Sequence, residues 1–427
     1  MFTEEKLINI AKKYKTPFYL YDGDGVIDRY QFIKENLPRN FEIFFSVKAN
    51  PNIGVCQILN SEGCGIEVAS GGELLLAEES GVSSRNIIFS GPGKTEDEIQ
   101  MAIEKNIASL IVESLQEIEV INSISRKLKK RVNVGIRINP SYDDIQKNPT
   151  ISMMGVGTQF GIDREDLDKA INKIKSLSRL NLNCFHIYAG SQIFEYKQAA
   201  QFFCEATKLI KRTIECHDLD ISIVDFGGGF GISYDRRKKD FDFIKFIESI
   251  KEIINENKKF FSDNKRFIFE SGRFLCAPCG YFITKVLYKK VLNGRKFLIV
   301  DGGMNNNCLA TFRNKIVRTN FDIVGLKEDV HDIDCLEEIS IAGPLCTPED
   351  ILARNINLKV LEKGDYICIP NMGAYGRTFS PVDFLGHKHI SEVLIYDNEE
   401  YTILEQGGFN DFYKDQNKIK GGFIYGN

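Results

Sequence analysis

Histidine and proline are scarce in this sequence, with five and 11 residues among 427, and long apolar runs are absent. No stretch approaches the ~18 apolar residues of a membrane-spanning helix, so a membrane protein is not expected. The first 15 residues are amphipathic and charged, and they lack the apolar core of a secretory signal. These absences predict a folded, cytoplasmic protein.

An excess of positive charge is also missing. The 55 Lys and Arg residues are outnumbered by 59 Asp and Glu residues, which gives a net charge of −4 and a pI of about 5.9. Lysine-rich stretches such as residues 127–130 are interspersed with acidic residues and are typical of solvated helix faces. Nucleic acid and anionic membranes are therefore not expected as main partners.

The 11 cysteines show no disulfide pattern. An odd number, scattered mostly as single residues, is typical of reduced thiols in the cytosol. Cys276 and Cys279 form a Cys-x-x-Cys pair, but no second pair and few histidines exist to complete a zinc or redox site. No metal is predicted, and the sequence does not decide the role of this pair.

A chain of 427 residues exceeds one ordinary core, so two domains are expected. From about residue 40 to 275, short β-rich runs alternate with longer amphipathic runs. Eight or so strands that alternate with helices predict parallel βαβ units and, at this length, an α/β fold with a (β/α)8 barrel. The predicted strands are Phe41–Val47, Cys64–Ala69, Ile87–Phe89, Ser109–Val112, Val132–Ile138, Asn183–Tyr188, Ile221–Phe226 and Arg266–Phe269.

The pattern changes after about residue 280. Runs such as Gly280–Leu292, Lys296–Val300 and Glu400–Glu405 are β-rich and are separated by Gly, Asn and Asp. This pattern predicts an all-β second domain. We expect the barrel to span residues 25–279 and the β domain to span residues 280–427, together with the N-terminal residues 1–24.

Two groups with cofactor chemistry fall at the predicted carboxyl ends of barrel strands, where barrel enzymes carry their active sites. Lys48 follows the first strand, and a lysine at the mouth of a barrel can be desolvated and form a Schiff base. The glycines 227–229 follow the strand Ile221–Phe226, and their backbone N–H groups can close on an anion. Their spacing matches neither the dinucleotide nor the Walker A motif, so the glycines alone are a weak signal.

Further polar residues end two other strands. Glu270 ends the last one, where a carboxylate can hold the proton of a pyridine nitrogen, and Arg273 can pair with phosphate. His186 and Tyr188 end another strand and could lie over a ring. Each residue alone fits the ordinary polarity of a barrel rim. Their occurrence together predicts a site for a phosphorylated pyridine cofactor.

These residues lie in motifs through which the chain resembles the fold type III pyridoxal-phosphate decarboxylases, including the diaminopimelate, ornithine and arginine decarboxylases. The resemblance extends from about Pro17 to beyond Tyr375. It implies an alanine-racemase-like (β/α)8 barrel with a C-terminal all-β domain. The motifs, in order, are Ser46–Asn50, Val68–Glu73, Arg137–Pro140, Phe160–Ile162, Gly190–Gln192, Gly227–Gly229, Glu270–Arg273, Gly343–Cys346 and Gly373–Gly376.

The resemblance implies pyridoxal 5′-phosphate as the cofactor, held by Lys48, with Glu270 at the pyridinium nitrogen. It implies that Cys346, from the β domain of a partner subunit, donates a proton to the substrate α-carbon. A head-to-tail homodimer with shared active sites follows. The resemblance also implies further cofactor-binding residues. Glu67 stands where the family has aspartate, Arg137 is expected near the ring hydroxyl, and Tyr188 replaces the family's stacked histidine. The residues implied at the phosphate are Ser191, Gly227, Gly228, Gly229 and Arg273, with Gly272 of the Glu270–Arg273 motif and Tyr375 from the β domain.

The chain departs from the family pattern mainly at substrate positions. Diaminopimelate decarboxylases have glutamate after the proton-donor cysteine, and ornithine decarboxylases have aspartate, which contacts the distal amine; Thr347 stands here. The arginine and tyrosine that diaminopimelate decarboxylases carry farther upstream align with Leu309 and Arg313. Arg313, Thr347 and Tyr375 are therefore the predicted substrate-binding residues. The charged residues that contact a distal amino-acid head group in these relatives are missing or rearranged here, and Arg313 adds a positive charge.

Four segments resemble one subgroup of the family: Asp301–Met304, Thr311–Arg313, Ala342–Asp350 and Phe384–His387. It is typified by the butirosin-pathway decarboxylase that acts on glutamate attached to an acyl carrier protein. We therefore predict α-decarboxylation of an amino acid, acyl-linked to a carrier, in a biosynthetic pathway. The alternative is free diaminopimelate in lysine biosynthesis, with Asp143 or Asp144 as the missing carboxylate.

Two other classes of protein compete with a decarboxylase. Alanine racemases share the barrel and the lysine, but they have an arginine at the ring nitrogen, where this chain has Glu270. Inactive regulators related to ornithine decarboxylase can lose cofactor-binding residues, whereas this chain keeps Lys48, Glu270, Arg273 and Cys346. An enzyme is therefore the favoured interpretation.

Overall fold

A computed structural model describes residues 2–139, 159–235, 237–311, 319–327 and 335–417. Within these ranges the strands form two separate nine-stranded sheets. The chain begins with α1 (Glu4–Lys13) and β1 (Phe18–Asp22). Arg313, Asp143 and Asp144 lie outside the described residues.

Eight parallel strands of the first sheet close into a barrel. The ring runs β2–β3–β4–β5–β6–β8–β9–β10 and returns to β2, and the short β7 (Ile162–Asp163) pairs only with β6. This arrangement confirms the predicted barrel. Its strands are β2 (Phe41–Ser46), β3 (Gly65–Val68), β4 (Ile87–Phe89), β5 (Ser109–Val112), β6 (Val132–Asn139), β8 (Leu180–His186), β9 (Ile223–Asp225) and β10 (Arg266–Ser271).

The barrel helices begin where side chains cap their first turns. Ser70, Thr95 and Ser114 each accept a hydrogen bond from a backbone N–H three residues later, which satisfies a donor that the helix leaves free. Of the described helices, none is long and apolar enough to cross a membrane. The helices are α2 (Gly23–Asn36), α3 (Ile53–Ser61), α4 (Gly71–Glu79), α5 (Glu96–Lys105), α6 (Leu115–Leu128), α7 (Arg164–Ser176), α8 (Tyr196–His217), α9 (Phe243–Glu256) and α10 (Arg273–Cys276).

The second sheet contains the remaining strands and confirms the predicted all-β domain. Its central strand, β11 (Gly280–Leu292), pairs with β1 and β16 through its first half and with β12 through its second half, with a register shift between Val286 and Tyr288. The other strands are β12 (Arg295–Val300), β13 (Val324–Leu326), β14 (Leu336–Ala342), β15 (Ile351–Lys359), β16 (Tyr366–Pro370), β17 (Ser391–Tyr396) and β18 (Glu399–Leu404).

The N-terminal strand β1 belongs to this second sheet, between β11 and β17. All five of its residues are buried, and α1 covers one face through Leu7, Ile10 and Ala11. The predicted domain boundary between residues 279 and 280 stays a prediction, and β11 begins at Gly280.

The barrel and the second sheet meet at the loop that follows β2. The backbone N–H of Tyr375 donates to the Ala49 carbonyl at 2.7 Å, and the Asn50 side chain donates to the Gly373 carbonyl at 3.0 Å. Two hydrogen bonds therefore hold the loop next to Lys48 against the segment that carries Tyr375.

Candidate active site

A cleft opens at the carboxyl ends of the barrel strands. It brings together nine of the residues that the sequence predicts: Lys48, Tyr188, Ser191, Gly228, Gly229, Glu270, Gly272, Arg273 and Tyr375. Ser46, Gln192, Phe230, Ser271 and Phe274 complete the lining.

Lys48 lies in a short 3₁₀ turn directly after β2, and 44% of its side chain is exposed. Its Nζ donates to Glu67 Oε2 at 3.0 Å, and the buried Glu67 also accepts a hydrogen bond from the Ser90 hydroxyl. Burial lowers the pKa of the Lys48 ammonium, but the Glu67 and Glu270 carboxylates outweigh burial and raise that pKa overall. Glu67 therefore orients the amine, although it does not line the cleft.

Glu270 lies near the end of β10 with 4% of its surface exposed. Among the described residues, its Oε1 atom has no hydrogen-bond partner. Burial raises the pKa of this carboxyl well above its ordinary value, and the nearby carboxylates of Glu67 and Asp225 raise it further. A cationic ligand atom placed here would satisfy both the unpaired oxygen and the charge.

The glycines after β9 form a surface that a side chain would fill. A Cβ atom at Gly228 would lie 1.7 Å from the Glu270 carbonyl oxygen, and one at Gly229 would lie 1.7 Å from the Gly190 carbonyl oxygen. Gly229 also has a φ of +94°, which L side chains rarely adopt. This close approach of the backbone requires glycine at both positions, and both glycines line the cleft, where backbone N–H groups can bind an anion.

Arg273 supplies positive charge beside the glycines. Its guanidinium donates to the Tyr234 hydroxyl and lies 4.3 Å from the centre of the Tyr375 ring. Ser191 faces it from the loop after β8, where its hydroxyl is 2.7 Å from the Tyr188 hydroxyl. Together with the glycine amides, these groups form a site suited to a phosphate.

Arg137 borders this site without lining it. Its guanidinium lies 5.8 Å from the centre of the Tyr188 ring and 4.6 Å from that of Phe160, and it is paired with Glu113 at 3.3 Å. Glu113 also accepts from the backbone N–H of Gly161 at 2.9 Å. Glu113, which the sequence analysis did not single out, therefore holds Arg137 beside Tyr188.

His186 does not line the cleft. It is 2% exposed and lies beneath the cleft floor, with Nε2 3.5 Å from Glu270 Oε1. Among the described residues, only His186, Asp225 and Glu270 form a group of three potential metal ligands, with their atoms within 4.8 Å of one another. Cys276 and Cys279 are buried free thiols outside this group.

Cys346 and Thr347 lie in the loop between β14 and β15, outside the lining of this chain's cleft. Cys346 is exposed and Thr347 is partly buried. Asp350 holds this loop in place, because its carboxylate accepts from the backbone N–H groups of Met304 at 2.6 Å and Leu345 at 2.8 Å. The predicted proton donor is therefore presented on the surface of the second sheet.

The cleft contains the groups that the predicted pyridine cofactor requires. An amine at Lys48, a buried carboxylate with an unpaired oxygen at Glu270, and the glycine surface with Arg273 match its aldehyde, ring nitrogen and phosphate in turn. The residues present fit the cofactor.

Comparison with known proteins gives consistent matches. The family model "Pyridoxal-dependent decarboxylase, pyridoxal binding domain" matches residues 24–277. The chain is 35% identical to the L-glutamyl-[BtrI acyl-carrier protein] decarboxylase of Niallia circulans, over 99% of this chain and 98% of that protein. It is 30% identical to the diaminopimelate decarboxylase of Aquifex aeolicus, over 88% and 85% of the two chains. The crystal structure of the M. jannaschii diaminopimelate decarboxylase superposes with a TM-score of 0.88 at 28% identity, covering 97% of this chain and 94% of that one.

Proposed function

Because the chain belongs to the pyridoxal-dependent decarboxylases, we propose that it removes the α-carboxylate of an amino acid joined through its distal carboxyl group to a carrier protein. Bound pyridoxal phosphate supplies an electron sink for the electron pair that the departing carboxylate leaves behind. The residues of this chain bind that cofactor, orient the substrate and hold protons.

Lys48 is the residue that would hold the cofactor aldehyde, because it lines the cleft and its Nζ is oriented by Glu67. Gly228, Gly229 and Arg273 would hold the phosphate. Ser191 and Tyr188, joined through their hydroxyl groups, border the same site. Glu270 would keep a proton at the ring nitrogen, since a carboxylate beside that nitrogen favours its protonated form.

Cys346 would return a proton to the α-carbon in the cleft of a partner subunit. It is exposed and outside the cleft of its own chain, so a second copy is needed to bring a thiol to the substrate. The proposal therefore includes a homodimer with shared active sites.

The acyl-linked substrate is supported by the residue next to this cysteine. Thr347 offers a hydroxyl where a free diamino acid would need a carboxylate for its distal ammonium. Among the described lining residues, Glu270 is the one carboxylate, and it faces the ring position. A substrate tethered through its distal carbonyl carries no free charge at that end, and the Niallia circulans relative is named for an L-glutamyl group on an acyl-carrier protein.

The substrate proposal predicts a large difference in kcat/KM between two substrates. Glutamate linked to a carrier protein or to pantetheine is expected to be decarboxylated at least about 100-fold more efficiently than free diaminopimelate. The reason is that a buried ammonium without a partner costs several kcal/mol. The measurement is CO2 release from each substrate, with free glutamate, lysine, ornithine and arginine as further comparisons.

Thr347→Glu is the matched test of the same idea. Glutamate is the residue that the diaminopimelate decarboxylases have at this position, so the variant is expected to improve turnover of free diaminopimelate and weaken turnover of the tethered substrate. Efficient use of free diaminopimelate by the wild type, at about 10⁴ M⁻¹s⁻¹ or above, would contradict the acyl-linked substrate and favour the lysine-biosynthetic alternative.

Glu270→Gln is expected to retain the cofactor and to lose at least about tenfold in kcat, equivalent to about 1.4 kcal/mol. Glutamine keeps the shape of the side chain but removes the charge that favours a protonated ring nitrogen. The measurement pairs kcat with the cofactor content of the purified variant. A smaller loss at full cofactor content would remove Glu270 from this role.

A further inference from the structure

Glu270, which lines the cleft, has two further polar side chains next to it, His186 and Asp225. The register of the parallel strands places His186 of β8 opposite Asp225 of β9, and Asp225 opposite Ile268 of β10, two residues before Glu270. The potential ligand atoms of His186, Asp225 and Glu270 lie within 4.8 Å of one another. Three polar side chains from consecutive strands therefore meet on the barrel side of the cleft floor.

This group is buried and incompletely paired. His186, Asp225 and Glu270 are 2%, 0% and 4% exposed. Among the described residues, both ring nitrogens of His186, Oδ2 of Asp225 and Oε1 of Glu270 have no hydrogen-bond partner. Leaving buried polar atoms unpaired costs about 1–3 kcal/mol each, so such a cluster at a ligand site indicates a function.

Asp225 connects the two parts of the site. Its Oδ1 accepts from the backbone N–H of Gly227 at 2.8 Å, which fixes the start of the glycine segment. Its other oxygen, Oδ2, is the unpaired one. The backbone N–H of Glu270 in turn donates to the Gly227 carbonyl at 2.8 Å. Oδ1 of Asp225 thus contacts the glycine segment, on the phosphate side of the site. Oδ2 of Asp225 remains available to the group formed with His186 and Glu270.

We infer that Asp225 and His186 are positioning residues that hold the Glu270 carboxylate in place and maintain a proton on the ring nitrogen of the bound cofactor. The inference rests on the proposed role of Glu270. Asp225 would add a second negative charge next to Glu270, and His186, with its proton on Nε2, can donate to Glu270 Oε1. Two buried carboxylates this close favour a cation beside them.

The electrostatics of the cluster agree with this geometry. Burial raises the pKa of Asp225 to about 7 against the opposing hydrogen bond from Gly227, so Asp225 and Glu270 resist carrying two charges in the absence of a cation. Burial also lowers the pKa of His186 well below its ordinary value, with further lowering by Arg137 and Lys48, so the imidazole is neutral. The other charged or titratable groups that reach the cluster are Glu67, Lys94, Cys184, Tyr188 and Tyr375.

The test is the protonation state of the ring nitrogen in Asp225→Asn. Asparagine keeps an oxygen for the Gly227 N–H but removes the charge. The holoenzyme is loaded with pyridoxal phosphate carrying ¹⁵N in its ring, and the ¹⁵N NMR shift is followed against pH. The ring nitrogen of the variant is expected to lose its proton at least about one pH unit lower than in the wild type. The cofactor dissociation constant should change by less than about threefold, since the bond to Gly227 is kept.

Two controls separate this inference from the proposed function. Asp168→Asn removes the same charge from another Asp–His contact, the 2.7 Å pair with His217 on the barrel helices, and should leave the ¹⁵N titration unchanged. Glu270→Gln should shift the titration further than Asp225→Asn. If Glu270→Gln shifts it and Asp225→Asn does not, the inference is wrong and the role of Glu270 stands. If neither variant shifts it, the role of Glu270 is wrong as well.

His186→Leu keeps the inference testable if Asp225→Asn does not fold. Leucine removes the donor next to Glu270 Oε1 while it occupies the buried volume. The ring nitrogen is again expected to lose its proton at a lower pH than in the wild type, and kcat should fall while the cofactor remains bound. If the ring nitrogen of His186→Leu titrates at the same pH as that of the wild type, the part of the inference that concerns His186 is wrong.

Discussion

Replacement of Lys48 by alanine is expected to abolish decarboxylation, with a loss of at least about 10³-fold, equivalent to about 4 kcal/mol of barrier. Among the described residues that line the cleft, Lys48 carries the one primary amine. An aldehyde cofactor would therefore lose its covalent attachment. The purified wild type should show a visible cofactor absorbance that Lys48→Ala lacks, and borohydride should fix the cofactor to the wild type only.

Lys169→Ala provides the matched control. Lys169 is an exposed lysine on α7 whose contact is an ion pair with Asp166, so its removal should leave both absorbance and activity intact. If the wild-type protein remains colourless after pyridoxal phosphate is added, the assignment of pyridoxal phosphate as the cofactor is wrong.

Lys48→Ala and Cys346→Ala chains are expected to be inactive alone and active when mixed. In a hybrid dimer with shared sites, one cleft combines the intact Lys48 of one chain with the intact Cys346 of the other. Random exchange makes about half of the dimers hybrid, each with one of two sites complete, so about a quarter of the wild-type activity should return. The measurement is CO2 release before and after mixing, with differently tagged chains to quantify exchange.

Cys335→Ala is the control that shows whether activity depends on the Cys346 thiol in particular or on any exposed cysteine of the β domain. Cys335 is a second exposed cysteine of the β domain, and its replacement should leave the unmixed enzyme active. If chains that demonstrably exchange regain no activity, Lys48 and Cys346 do not serve one cleft from different subunits.

The barrel and its strand ends were predictable because parallel strands alternate with helices at short range. Local pattern alone predicts the strands Phe41–Val47 and Ser109–Val112, and the structure has β2 and β5 there. Lys48 and Glu270 could be assigned to a site because residues at parallel strand ends share one face of a barrel.

The cluster below the cleft could not be found in this way. Asp225 precedes the glycine segment and is part of a buried strand, so its sequence position indicates only a strand residue. Which neighbour its carboxylate faces depends on the register between β9 and β10. That register follows from barrel closure, a long-range property that local sequence does not encode. The contact of Glu113 with Arg137 and Gly161 could not be predicted either, because it also depends on which strands become neighbours in the closed barrel.

The position of β1 in the second sheet has a consequence for synthesis on the ribosome. Phe18 pairs with Ile283 and Ser391, so this first strand has no partner until more than 260 residues have followed it. At a translation rate of ~5–20 residues per second, the strand waits for tens of seconds, with five side chains that the finished protein buries. The barrel strands β2–β10 are synthesised during that interval, whereas the strands that pair with β1 are synthesised only after them. Nascent chains stalled before residue 280 should therefore bind hydrophobic-segment chaperones through residues 18–22, and chains released after residue 404 should not.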